Sequence, residues 1–244
     1  MKAFPLTKHF KNGRLSSMWG DVDSAVTRYR EGAESGDPRC MMALAGQLSN
    51  EGSKHHNPDE AEQLVKRAAE AEYPEAFEVL GDWYKNGFGS VQKDTSKAIR
   101  FLQMASDRGL PEAKRILALI YLDNDDIHLD IKAGVQLLRE SAMLGLPPAF
   151  YTYALVLWDG IDGKADRVEA GAWMTLAAEF DINDSRDRLE MVGLGKSKRL
   201  VPKIAWRKKV ARRVEEIKRT VTPYVAHKED DELYEESSRL GQGN

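Results

Sequence analysis

The sequence predicts an all-α chain built from stacked helix hairpins, and three observations predict it. Prolines at 38, 74, 111 and 147 recur at intervals of 36, 37 and 36 residues. Six and seven residues after each proline comes a large residue and then a small one: Leu44-Ala45, Leu80-Gly81, Leu117-Ala118 and Tyr153-Ala154. Glycine, an apolar residue and proline mark the junctions Gly109-Leu110-Pro111 and Gly145-Leu146-Pro147. A period of this length identifies an array of supersecondary units, so the 244 residues and 42% hydrophobic content do not set a domain count in the usual way.

The first helix of each unit follows from its spacing. Cys40, Ala76, Ala113 and Ala149 stand two residues after the prolines, and Leu48, Tyr84, Tyr121 and Leu157 stand ten after. Offsets of two, six, seven and ten share one face at 3.6 residues per turn. After polar or glycine-containing turns such as Asn86-Gly87-Phe88-Gly89 and Asp159-Gly160, second amphipathic stretches follow, around Ala61 to Ala69, Ala98 to Leu102, Ala133 to Leu138 and Ala170 to Met174. Asp59, Asp94, Asp130 and Asp166 precede or open them, where an acidic residue caps a helix N-terminus and complements its dipole. At the junctions, glycine ends a helix in a left-handed residue and proline occupies the first position of the next. Gly36-Asp37-Pro38 is a variant with Asp37 as N-cap, and residues 22–33 form the second helix of an incomplete leading unit.

These residues resemble the Sel-one-like repeat (SLR) family, a relative of the tetratricopeptide repeat. The second full unit carries the likeness best, through Pro74-Glu75-Ala76, Leu80-Gly81, Tyr84, Asn86-Gly87-Phe88-Gly89, Asp94, Lys97-Ala98, Ala105 and Gly109. The third unit departs from it at Asn124-Asp125-Asp126, and the first at Glu51 to His56. The resemblance implies a right-handed α/α superhelix with first helices lining the inner surface, acting as an adaptor or scaffold. The expected organisation is an N-terminal extension (1–20), a solenoid (21–182), basic capping helices (183–222) and an acidic, flexible tail (223–244). Within the solenoid an incomplete unit (21–37) leads repeats 38–73, 74–110, 111–146 and 147–182. The array needs such end caps, because a hairpin of this size cannot bury its apolar face alone.

The tetratricopeptide relationship implies that residues one, four, eight, eleven and twelve positions after each proline face a partner. They are Met42 and Asn50; Glu75, Glu78, Asp82, Lys85 and Asn86; Glu112, Arg115, Leu119, Leu122 and Asp123; then Tyr151, Leu155, Trp158 and Asp159. Such a groove runs from acidic to apolar and aromatic, suiting a protein or peptide with a basic part and a hydrophobic anchor. The competing structural account places Tyr151, Leu155 and Trp158 under the capping helix. An immunity-type protein that neutralises a toxin or effector needs only the same curved surface, and the sequence does not separate it from an adaptor.

Trp206, Val210, Val214, Ile217 and Val221 form an apolar stripe on a helix beginning near Pro202, fit to cover the last unit. The helix is otherwise basic. Residues 196–219 hold eleven Lys and Arg against Glu215 and Glu216, a local charge of +9 within a chain of net −3. Arg207, Lys208 and Arg212 are the candidate contacts for an anionic partner, but a cap with one buried and one solvated face explains the pattern without nucleic acid.

No chemistry is legible elsewhere. His9, His55, His56, His128 and His227 lack a second ligand at metal-binding spacing. No phosphate-binding glycine loop precedes a helix, and paired carboxylates such as Asp125-Asp126 lack apolar surroundings. Cys40 fills the small-residue slot and reads as a packed thiol; one cysteine also excludes an intramolecular disulfide framework. The expectation is a cytoplasmic, non-enzymatic protein without cofactor, metal or membrane segment.

Overall fold

The computed structural model describes residues 4–123, 130–183, 185 and 204–222. The four periodic prolines each open a helix: α3 (Pro38–Ser49), α5 (Pro74–Asn86), α7 (Pro111–Tyr121) and α9 (Pro147–Asp159). Their hairpin partners are α4 (Pro58–Glu70), α6 (Thr95–Ser106), α8 (Ile131–Met143) and α10 (Arg167–Glu179). Two further helices precede α3, namely α1 (Lys8–Met18) and α2 (Val22–Glu34), and α11 (Ile204–Lys218) follows α10. Among the described residues there is no β-strand, only an isolated bridge between Phe88 and Val91. The chain divides into two compact units, with α1 to α6 in the first and α7 to α11 in the second.

In the first unit, three hairpins stack in sequence around a core of Tyr29, Leu44, Leu48, Leu64, Val65 and Leu80. The leading hairpin is complete, which differs from the extension and half-unit expected for residues 1–37. Helix α1 pairs with α2 because Gly13 leaves room for Tyr29, whose ring carbons stand 2.5 and 2.6 Å from where a β-carbon would lie. The apolar signal of α1 is weak, and Gly13 is its only buried residue. Thr7 caps α1 at Phe10 N and donates its hydroxyl to Asp37, the N-cap of α3, so one link joins two helix starts.

In the second unit, Leu117, Leu138, Phe150, Tyr153, Trp173 and Leu176 form the core, and Val210, Val214 and Ile217 of α11 complete it. The apolar stripe therefore caps the last hairpin. Helix α11 lies along α10, where a β-carbon on Gly171 would stand 3.2 Å from Val210 Cγ2 and 3.4 Å from the Trp206 ring.

The repeat has a physical cause at each position. Cys40, Ala76, Ala113 and Ala149 are wholly buried, where larger side chains would separate the helices. The pairs at offsets six and seven are also buried in all four units. At offset ten only Leu48 is fully buried; Tyr84, Tyr121 and Leu157 are half-exposed, so Tyr121 is not the core residue its spacing suggests. Asp94, Asp130 and Asp166 cap α6, α8 and α10 as expected. Asn57 caps α4 in place of Asp59, because Pro58 takes the first helical position and moves Asp59 into the first turn.

Candidate partner-binding surface

The core uses offsets two, six and seven of each first helix, and offset three in all but α7, where it is Lys114; offsets four, eight and eleven are left on an outer strip. On α5, in the first unit, Glu78, Asp82 and Lys85 are half-buried, while Glu75 and Asn86 are exposed. Asn86 donates from Nδ2 to Asp82 Oδ1 at 2.7 Å. On α3, Met42 packs against the core, and Asn50, just after the helix, is exposed, its side chain accepting from Gly52 N at 3.0 Å in the turn that follows. The accessible part of this unit's strip is acidic.

In the second unit the strip changes character. On α7, Arg115 donates to Glu112 through two nitrogens, with Nε at 3.0 Å from Oε2, so the pair offers a partner little net charge. Leu119 is half-buried and Asp123 exposed. Leu122 lies against Gly134 of α8, where a β-carbon would stand 2.7 Å from its Cγ, and it packs on the core. It belongs chiefly to the hairpin interior. On α9, Tyr151 and Leu155 lie half-exposed over the core. Trp158 is half-exposed, with the Arg167 guanidinium 5.4 Å above its ring, and Asp159 is exposed. Among the described residues, Trp158 is not part of the cluster that α11 completes. That ring is steadied by α10, and cation–π contact restrains it without burying it.

The basic helix is divided between two uses. Arg213 donates to Glu169 through Nε and Nη2, the latter at 3.0 Å, and Glu169 also accepts from Trp173 Nε1 at 3.0 Å. This carboxylate raises the Arg213 pKa still further. Lys218 reaches Glu179 at 2.7 Å. Both cations thus fasten the cap to α10. Arg207, Lys208 and Arg212 are exposed, and Arg212 lies 3.5 Å from Glu216. The part of the basic stretch from 196 to 203, the turn at 124–126, His128, His227 and the tail 223–244 fall outside the described residues.

Cys40 donates its thiol to Asp37 Oδ2 at 3.4 Å, and burial beside that carboxylate pushes its pKa up to about 12. A thiol held protonated in this way is a poor nucleophile. His55 and Lys54 close the first turn by reaching back to Asp23, each at 2.6 Å. Among the described residues no cluster of three or more His, Cys, Asp or Glu could hold a metal ion, and no helix is long and apolar enough to cross a membrane. A polar hollow on the first unit is lined by Glu62, Tyr84, Ser90, Lys93, Asp94 and Lys97, and its two carboxylates are answered locally. Lys66 and Ser90 donate to Glu62, and Lys97 lies 3.1 Å from Asp94.

Two features escaped sequence reading. Trp19 is 74% exposed and Met18 42% exposed, beside the turn between α1 and α2. An isolated tryptophan beside a glycine has no periodicity to mark it. The Glu169–Arg213 link spans 44 residues, and its only sequence trace is an acidic residue in the first turn of α10.

Residues 38–73, 79–110 and 151–179 match the Sel1 repeat family model. A Sel1 repeat protein from Oxalobacter formigenes shares the fold with a TM-score of 0.68 at 23% identity, over 82% of this chain and 83% of that one. A protective antigen present in uropathogenic Escherichia coli strains and displaying an SLR fold gives a TM-score of 0.63 at 24% identity. That match covers 90% of this chain and 49% of the antigen, so this chain spans about half the antigen's length. An immunity protein from Pseudomonas aeruginosa gives 0.57 at 17% identity, over 88% of this chain and 83% of that one. No curated protein matches the sequence. The matched segments fall on the hairpins α3–α4, α5–α6 and α9–α10, while α7–α8 closes in the same manner outside them. The chain therefore carries Sel1 repeats, and proteins built from such repeats typically serve as protein-interaction scaffolds.

Proposed function

We propose that this protein is an adaptor that binds a partner protein or peptide through the outer strips of its first helices. The observation that carries this reading is the α9 strip, where Tyr151, Leu155 and Trp158 remain accessible although the same helix buries Phe150, Tyr153 and Ala154. Aromatic side chains held in place but open to solvent are suited to act as binding hot spots. In the other unit, Glu78 and Asp82 favour a basic segment. The buried, protonated thiol of Cys40 suits a reducing compartment, and a cytoplasmic location in a bacterium belongs to the same reading. No reaction is assigned to the chain.

Affinity capture from the native cell tests it. The unaltered chain should retain a partner that Trp158→Ala and Glu78→Lys/Asp82→Lys variants lose, with thermal midpoints within about 3 °C of the parent. Retention of the same partner by both variants would remove the proposal.

The fold likeness to an immunity protein supports a second reading, in which the partner is a toxin or effector. Co-expression separates the two: rescue of growth against a toxin encoded beside this gene favours neutralisation. Nucleic-acid binding is the weaker reading, since Arg213 and Lys218 are already engaged by Glu169 and Glu179.

A further inference from the structure

The loop between α5 and α6 is folded onto itself. Phe88 and Val91 exchange two backbone hydrogen bonds, at 3.1 and 2.7 Å, and Asp94 N donates to Tyr84 O at 2.7 Å. Phe88 also stacks on Trp83, with ring centroids 4.1 Å apart. Gly87 opens the loop at φ 85°, and its missing side chain leaves a place for Lys93. Cγ and Cε of that lysine lie 3.6 and 3.9 Å from where a β-carbon on Gly87 would stand. The lysine stem is thus laid along a fixed backbone, and Lys93 lines the polar hollow of the first unit.

The hollow measures about 320 Å³, and the Tyr84 ring forms one wall, held by stacking on Phe101 at 5.6 Å and 4°. Its charges do not cancel. Glu62 accepts from Lys66 and Ser90, and Asp94 lies 3.1 Å from Lys97. Lys93 has no ion-pair or hydrogen-bond partner among the described residues. Lys66, Lys93 and Lys97 therefore stand against Glu62 and Asp94, which leaves one positive charge in excess. A concave surface with an excess of one sign concentrates counter-ions. The α6 N-terminus does not make the site, because Asp94 already accepts from Lys97 N at 2.9 Å. We propose that the hollow is a subsite for a carboxylate, supplied by an acidic side chain or by the chain end of a peptide, and held by Lys93 and Lys97 beside the Tyr84 ring. Lys97 is placed for this role, with its ammonium 5.2 Å from the centroid of that ring. The single excess charge selects the ligand. A carboxylate carries one negative charge, whereas a phosphate monoester carries close to two at pH 7 and is repelled by Glu62 and Asp94. The subsite does not depend on the strips of α5 and α9.

Two-dimensional NMR on the full chain tests the subsite with three probes at constant ionic strength. Acetylaspartate α-amide offers only a side-chain carboxylate, acetylglycylglycine offers only a terminal one, and inorganic phosphate is the third. Amides of residues 88–97 should shift saturably with a carboxylate probe at about 1–10 mM, and phosphate should bind more weakly. The tighter of the two carboxylates identifies the source. Lys93→Ala should weaken that binding about threefold or more, and Lys93→Arg should retain it. Lys93 is exposed, so both variants should keep the parent's thermal midpoint. Equal affinity in the Lys93→Ala variant overturns the proposal. So do shifts that never saturate, shifts centred on α11, or phosphate that binds at least as tightly as both carboxylates.

Discussion

Glu72 holds a backbone conformation that the equivalent junctions give to glycine. Its φ is 64°, against 87° for Gly109 and 85° for Gly145, and it ends α4 in the same hydrogen-bonding pattern. Tyr73 N reaches Ala68 O at 3.0 Å, as Leu146 N reaches Ser141 O at 3.4 Å after α8. The left-handed conformation costs a side-chain-bearing residue about 1 kcal/mol, and the contact of Glu72 with Arg108 at 3.8 Å is exposed and offsets little of it. Glu72→Gly should therefore raise stability by about 0.5–1 kcal/mol, read from the midpoint of urea unfolding. A lower midpoint would show that the Arg108 contact matters more than the strain. Gly81 presents the reverse case. A β-carbon there would stand 2.5 Å from Leu102 Cγ and 3.2 Å from Leu102 N, and a backbone atom cannot step aside as a rotamer can. Gly81→Ala should lower stability by about 1–3 kcal/mol in the same assay, despite the better helix propensity of alanine.

Between helices, one carboxylate does more than its position suggests. Glu169 serves Arg213 of the cap and the buried Trp173 together, so Glu169→Ala leaves the indole N–H without its acceptor and Arg213 with Glu216 of its own helix alone. The expected loss is about 1–3 kcal/mol, with faster amide exchange from Val210 to Ile217 and no change in α3 to α6. Equal protection of α11 in parent and variant would mean that the apolar stripe alone holds the cap. Glu62 ties a loop to a helix in the other unit. It is nearly buried, and donation from Lys66 and then Ser90 holds its pKa below the ordinary glutamate value of 4.5. A depressed carboxylate stabilises the fold above its unfolded-state pKa. That contribution fades as pH falls through 4.5 toward the folded-state value. Glu62→Gln should thus remove a small part of the acid sensitivity, roughly 0.5 kcal/mol between pH 7 and 3, while changing little in the slope at alkaline pH.

Across the whole molecule, the hairpins were legible because offsets two, six and seven of the period meet the same demand in all four units. A proline starts the helix, a small residue allows close approach, and a large one fills the core, as at Ala113, Leu117 and Ala118. The leading hairpin was not legible, since α1 contributes a gap at Gly13 rather than an apolar stripe. The cap stripe could be read from spacing, whereas its carboxylate anchor could not, because pairing over 44 residues leaves no local pattern. The candidate strip was legible as positions and not as environments: periodicity put Leu122 and Trp158 on one register, yet Leu122 packs onto Gly134 while Trp158 stays open beneath Arg167. That contrast sets the decisive comparison. Leu117 is fully buried, so Leu117→Ala should cost about 2–5 kcal/mol and weaken any partner only through loss of fold. Trp158 lies outside the buried core cluster, so Trp158→Ala should cost less than about 1.5 kcal/mol while reducing partner affinity at least tenfold. Thermal unfolding of both variants beside titration with the captured partner measures the two effects separately. A Trp158→Ala chain as unstable as Leu117→Ala would return the indole to the core and leave α9 without its anchor.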